Sequence, residues 1–76
     1  MRRLSGREVC KILSQHGFVE VRQRGSHIQM RKTVTLDSGV TTITVPVPNH
    51  RELKIGTLSR IIQKSLLNRS LFESKR

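Results

Sequence analysis

Residues 18–48 read FVEVRQRGSHIQMRKTVTLDSGVTTITVPVP, and this stretch decides the fold. Val19 and Val21 alternate with Glu20 and Arg22, and further on Ile28 and Met30 alternate with His27, Gln29 and Arg31. A period of two is the mark of strands with one buried face. Turn residues interrupt the runs at Arg24-Gly25 and at Asp37-Ser38-Gly39. The β-branched run from Val40 to Val47 follows, and Pro46 and Pro48 end that strand or confine it to a sheet edge. The reading is three antiparallel strands over about 18–23, 27–36 and 40–47. In the second strand Ile28 and Met30 face the core, so His27, Gln29 and Arg31, with Thr42 and Thr44 of the third, stand on an open basic face.

Helical signals flank the strands. Ser5-Gly6-Arg7-Glu8 has the spacing of a capping box, in which the Ser5 hydroxyl accepts from the Glu8 amide and the Glu8 carboxylate accepts from the Ser5 amide. Leu4 and Val9 fit a hydrophobic staple across that cap. Val9, Ile12, Leu13 and His16 then share one helical face. Gly17 supplies a left-handed residue at the end, from which Phe18 folds back onto Leu13. These residues predict a helix over about 6–16. Downstream, Asn49-His50-Arg51-Glu52 repeats the cap pattern weakly and predicts a single turn. A stronger helix begins near Gly56-Thr57, with Leu58, Ile61, Ile62 and Leu66 on one face and Arg60 and Lys64 on its polar side. Ser70-Leu71-Phe72-Glu73 has capping-box spacing, but too few residues follow it for a stable helix.

The expected fold is therefore α+β, in the order α-β-β-β-α: a three-stranded antiparallel sheet with two helices on one face. Its expected core is Val9, Ile12, Leu13, Ile28, Met30, Ile43, Val45, Leu58, Ile61 and Ile62. At 76 residues one domain is expected to span 1–76, and it buries only roughly 60% of the surface of its unfolded chain. No apolar run approaches the ~20 residues of a membrane span, and Met1-Arg2-Arg3 does not lead into a signal-peptide stretch. The single cysteine, Cys10, excludes an internal disulfide and reads as a small buried apolar residue. The expected compartment is the reducing cytoplasm.

Charge says more than length. Fifteen Lys and Arg against five Asp and Glu give a formal net charge of +10, and the pI of 11.7 asks for an acidic partner. Phe18 and Phe72 are the whole aromatic content, so base stacking on an aromatic platform lacks its parts. Binding directed at the phosphate backbone remains.

Within this basic chain Gln23-Arg24-Gly25-Ser26-His27-Ile28 is the most informative segment. Strand parity puts His27 on the open face among Arg22, Arg24 and Arg31. Cleavage of RNA without a metal needs a base for the 2′-hydroxyl proton and an acid for the leaving 5′-oxygen. Imidazole suits either role. Gly25 leaves room for a phosphate, and Ser26 adds a hydroxyl donor. A surface histidine with no chemical task is the plain alternative. His16, His27 and His50 show no paired ligand spacing, so no metal site and no cofactor is expected. His16 falls where it meets the carbonyl end of a helix, and His50 reads as a capping or solvent residue. Lys54-Ile55-Gly56-Thr57 forms a second candidate: a helix start preceded by lysine receives a phosphate through its free amides, with Thr57 as a simple helix cap the competing reading.

Leu4-Ser5-Gly6, Gly17-Phe18, Arg24-Gly25-Ser26-His27, Val45 to Pro48, His50 and Leu53-Lys54-Ile55-Gly56-Thr57-Leu58 with Ile61-Ile62 together resemble the HicA family of toxin–antitoxin systems. The likeness runs from position 4 to about 67. It implies a fold similar to the double-stranded RNA-binding domain and an mRNA-cleaving toxin with His27 catalytic. It also implies a HicB-type antitoxin that covers His27 and supplies an acidic surface. The expected RNA contacts are Arg22, Arg24, Gly25, Ser26, Arg31, Lys54, Gly56 and Thr57. Leu66-Leu67 departs from the family, which would place a glycine-containing end after the second helix. The alternative function is a double-stranded RNA-binding module without catalysis.

Overall fold

The computed structural model describes residues 4–73. Met1-Arg2-Arg3 and the end of the tail, 74–76, lie outside the described residues. Helix α1 spans Gly6–Ser14, strands β1, β2 and β3 span Val19–Arg24, His27–Leu36 and Gly39–Pro48, helix α2 spans Ile55–Ser65, and a 3-10 turn covers Arg69–Phe72. The sheet is antiparallel throughout, in the order β1-β2-β3. The architecture is the expected α-β-β-β-α, with both helices on the face formed by Ile28, Met30, Val45 and Val47.

The capping box of α1 is complete: the Glu8 amide donates to Ser5 Oγ at 3.0 Å, and the Ser5 amide donates to Glu8 Oε1 at 2.9 Å. The helix ends two residues short of the expected boundary, and residues 15–17 form a turn. Gly17 takes φ +97°, and the Phe18 amide donates to the Leu13 carbonyl at 3.1 Å, which returns the buried Phe18 ring to the core. Lys32 covers that ring, with Nζ 5.8 Å from its centroid.

Val19 and Val21 do not alternate inward as expected. Every residue of β1 is exposed. A bulge between Glu20 and Arg22 leaves Val21 without its own partner, Val19 pairs with Arg31 on the outer face, and Glu20 pairs with Met30 on the helix side. There Glu20 accepts a 3.3 Å ion pair from Arg7 of α1. The extra residue restores parity, so Arg22 and Arg24 pair with Gln29 and His27 on the outer face.

The core holds eight of the ten predicted residues, and Ile12 and Ile43 are only partly buried against it. Ile43 lies opposite Lys32, beyond the last buried residues of β2 and β3 on the way to their shared turn. Leu4, Cys10, Phe18, Val47, Leu53 and Phe72 complete the interior. Burial pushes the Cys10 thiol above its ordinary pKa, so it packs as a neutral apolar group. The tail, too short for a free helix, is anchored by Phe72, while Asn68 Oδ1 caps the 3-10 turn by accepting from the Ser70 amide at 2.9 Å.

No helical turn forms at Asn49-His50-Arg51-Glu52. That segment instead runs beside the start of α1: the Gly6 amide donates to the His50 carbonyl and the Leu53 amide to the Leu4 carbonyl, both at 2.8 Å. Gly6 packs so tightly on the end of β3 that a Cβ there would collide with the Pro48 carbonyl.

Candidate nucleic-acid interface and histidine groove

His27 opens β2 and is exposed. The turn before it places Gly25 at φ +55° as the first of two turn residues, the position glycine takes in a type II′ hairpin turn. Two further bonds hold this turn. The Asn49 amide donates to the Ser26 carbonyl at 2.6 Å, and Gln23 Nε2 donates to the Gly25 carbonyl at 3.2 Å. His27 faces Arg24 on one side and Pro48 on the other.

Six of the expected RNA contacts divide into two groups. Arg22, Arg24 and Arg31 gather with Val21 and Gln29 around a shallow depression of about 220 Å³ on the outer sheet face. Lys54, Gly56 and Thr57 line another of about 490 Å³ with Arg60 at the start of α2. His27 opens into neither. It lines a groove of about 300 Å³ between β3 and α2, formed with Val45, Pro46, Pro48, Thr57, Arg60, Ile61 and Lys64. Thr57 and Arg60 line both the groove and the helix-start cavity, so the two are neighbours. Arg24, the cross-strand partner of His27, links the groove to the arginines of the sheet.

Thr57 is not the cap of α2. The helix begins at Ile55 with Lys54 as its cap residue and no side-chain cap bond, and the first intrahelical amide is that of Leu58, which donates to the Lys54 carbonyl at 2.9 Å. The amides of Ile55, Gly56 and Thr57 therefore lack intrahelical acceptors at the positive end of the helix. Sequence reasoning missed Pro46, Pro48, Arg60 and Lys64 as neighbours of His27. The signal was present: residues 57, 60, 61 and 64 share one side of a helix, and that side also carries Ile61 of the core.

Electrostatically the surface is one-sided. By register, no Asp or Glu stands on the outer sheet face, and α2 contains none. Glu20 faces α1, and Asp37 lies in the distal β2–β3 turn. His16 falls in the turn after α1, and the backbone carbonyl of His50 serves Gly6. Among the described residues no three His, Cys, Asp or Glu side chains cluster as metal ligands, and no helix is long and apolar enough to cross a membrane.

A small basic α+β domain with a histidine at the mouth of a cationic groove is the class that fold and site define. The model of the HicA toxin of bacterial toxin–antitoxin systems matches residues 6–67, and the chain belongs to that family. It is thereby a toxin whose partner is an antitoxin. No curated protein matches the chain.

Proposed function

We propose that this toxin is a cytoplasmic endoribonuclease that cleaves mRNA and is neutralised by a HicB-type antitoxin. The observation that carries the reading is the position of His27: exposed, opposite Arg24, and at the mouth of a groove whose other wall bears Arg60 and Lys64. Arg22, Arg24 and Arg31 hold backbone phosphates on the sheet face, and Lys54 with the Gly56-Thr57 amides receives another at the helix start. Gly25 and Ser26 let the backbone approach closely.

The chemistry needs no group beyond the protein. The 2′-oxygen of a ribose attacks the adjacent phosphorus as its proton leaves, and the bond from phosphorus to the 5′-oxygen breaks as that oxygen gains a proton. The products are a 2′,3′-cyclic phosphate and a 5′-hydroxyl. His27 performs one of the two transfers, as base or as acid. The surrounding cations stabilise the charge that develops on the phosphorane oxygens. A HicB-type antitoxin that covers His27 would neutralise the surrounding cations with its own acidic residues.

An unstructured RNA incubated with the purified toxin in EDTA tests this. Fragments ending in 2′,3′-cyclic phosphate and starting with 5′-hydroxyl are expected. No strand scission, together with salt-dependent binding of an RNA duplex, would instead favour the non-catalytic double-stranded RNA-binding module.

A further inference from the structure

Arg60 and Lys64 stand one helical turn apart on the wall of the groove that faces His27. Two like charges at that spacing weaken a helix, and α2 has no acidic residue to offset them. Among the described residues neither forms an ion pair. Pro46 and Pro48 form the opposite wall, and proline has no amide to offer a ligand, so polar recognition inside the groove falls to the helix and to His27.

We infer that Arg60 and Lys64 form a second phosphate subsite, on the other side of His27 from the sheet arginines, so that single-stranded RNA is held on both flanks of the phosphate being cleaved. The inference rests on the ribonuclease reading for its substrate, and extends it to the path of the strand. Arg22, Arg24 and Arg31 lie on the sheet face, whereas Arg60 and Lys64 lie on α2, and His27 stands where the two surfaces meet. A strand touching both bends around the end of β2. A single strand makes that bend freely, whereas an A-form duplex is stiff and presents its phosphates on a regular helix that does not fold around the end of one strand. The bend serves the reaction as well, because the 2′-oxygen must come into line with the breaking bond and stacked duplex geometry holds it out of line.

The probe is a fluorescent, unstructured 12-nucleotide RNA in its fully 2′-O-methylated form, which binds but has no nucleophile. The Arg60→Gln/Lys64→Gln double variant should bind it about tenfold more weakly, with a salt slope shallower by about 1.4. A control with the same charge loss elsewhere, Lys11→Gln/Arg69→Gln, should stay within about twofold of wild type. A 12-base-pair duplex of the same modified sequence should compete poorly. Equal losses in the double variant and the control overturn the subsite, and equal competition by the duplex overturns the single-strand path. Binding to the methylated probe is independent of catalysis. If the wild-type toxin cleaves nothing but the double variant still loses affinity, the subsite stands and the nuclease reading falls. If His27→Ala abolishes cleavage but the double variant binds and cleaves as wild type, the reverse holds.

Discussion

The Asn49 amide donates a 2.6 Å hydrogen bond to the Ser26 carbonyl, and this bond fastens the turn before His27 to the chain leaving β3. The same exit segment accepts the Gly6 amide through the His50 carbonyl, so the histidine turn, the end of the sheet and the start of α1 form one junction. The position of His27 is therefore set by backbone bonds on rigid elements rather than by a free loop.

Gly25 is the weak point of that junction. A Cβ there meets nothing within 4 Å, so a substitution costs only what φ +55° imposes. Gly25→Ala should lose about 1 kcal/mol in urea unfolding, and Gly25→Asn less, since Asn is common at the positive-φ positions of such turns. Equal stability of all three proteins would show that the turn relaxes without cost.

Gly6 and Gly56 both lie in the first turn of a helix, yet substitution separates them. Gly6→Ala drives a Cβ into the Pro48 carbonyl, a backbone atom that moves only with the junction, and should cost about 2–3 kcal/mol. Gly56→Ala meets open space and should stabilise by up to about 1 kcal/mol through helix propensity. Denaturant midpoints check both, and a Gly6→Ala protein as stable as wild type would contradict the packing of α1 on β3.

Leu66 closes α2 at φ 63° and is 75% exposed as a residue. It stands in the place where a glycine is the usual helix terminator, and its exposed side chain gains little from burial. Leu66→Gly should raise stability by about 0.5–1 kcal/mol, an increase in Tm of roughly 2–8 °C. A lower Tm would mean that the leucine makes a contact worth more than its strain.

Much of this fold could be read before any coordinates. The capping box at Ser5 and Glu8, the Gly17 terminator and the β2–β3 alternation are local devices, and local devices leave local patterns. Misreading β1 came from its bulge: one unpaired residue at Val21 reverses the parity of Val19 while keeping Arg22 and Arg24 outward, and period-two reasoning has no term for it. Leu53 and Phe72 were missed because each enters the core as a single residue from an irregular segment, with no period to reveal it. The exposure of His27 was legible from the alternation of its neighbours in sequence. Its groove was not, because Arg60 and Lys64 reach it only through the packing of α2 against β3.

The sheet arginines should set how strongly the RNA is held. Arg22→Gln/Arg24→Gln/Arg31→Gln removes three cations from one exposed depression. The salt dependence of RNA binding should become shallower by about 2 in the log–log slope, from 0.7 per phosphate contact on a single strand. An unchanged slope would move the RNA off this face.

The most direct measurement is the single-turnover cleavage rate of His27→Ala on an unstructured RNA, taken with its thermal melt. Because His27 is exposed, the melt should match wild type, while cleavage falls by about 10²–10⁴-fold. A variant that melts as wild type and still cleaves at the wild-type rate would contradict the account.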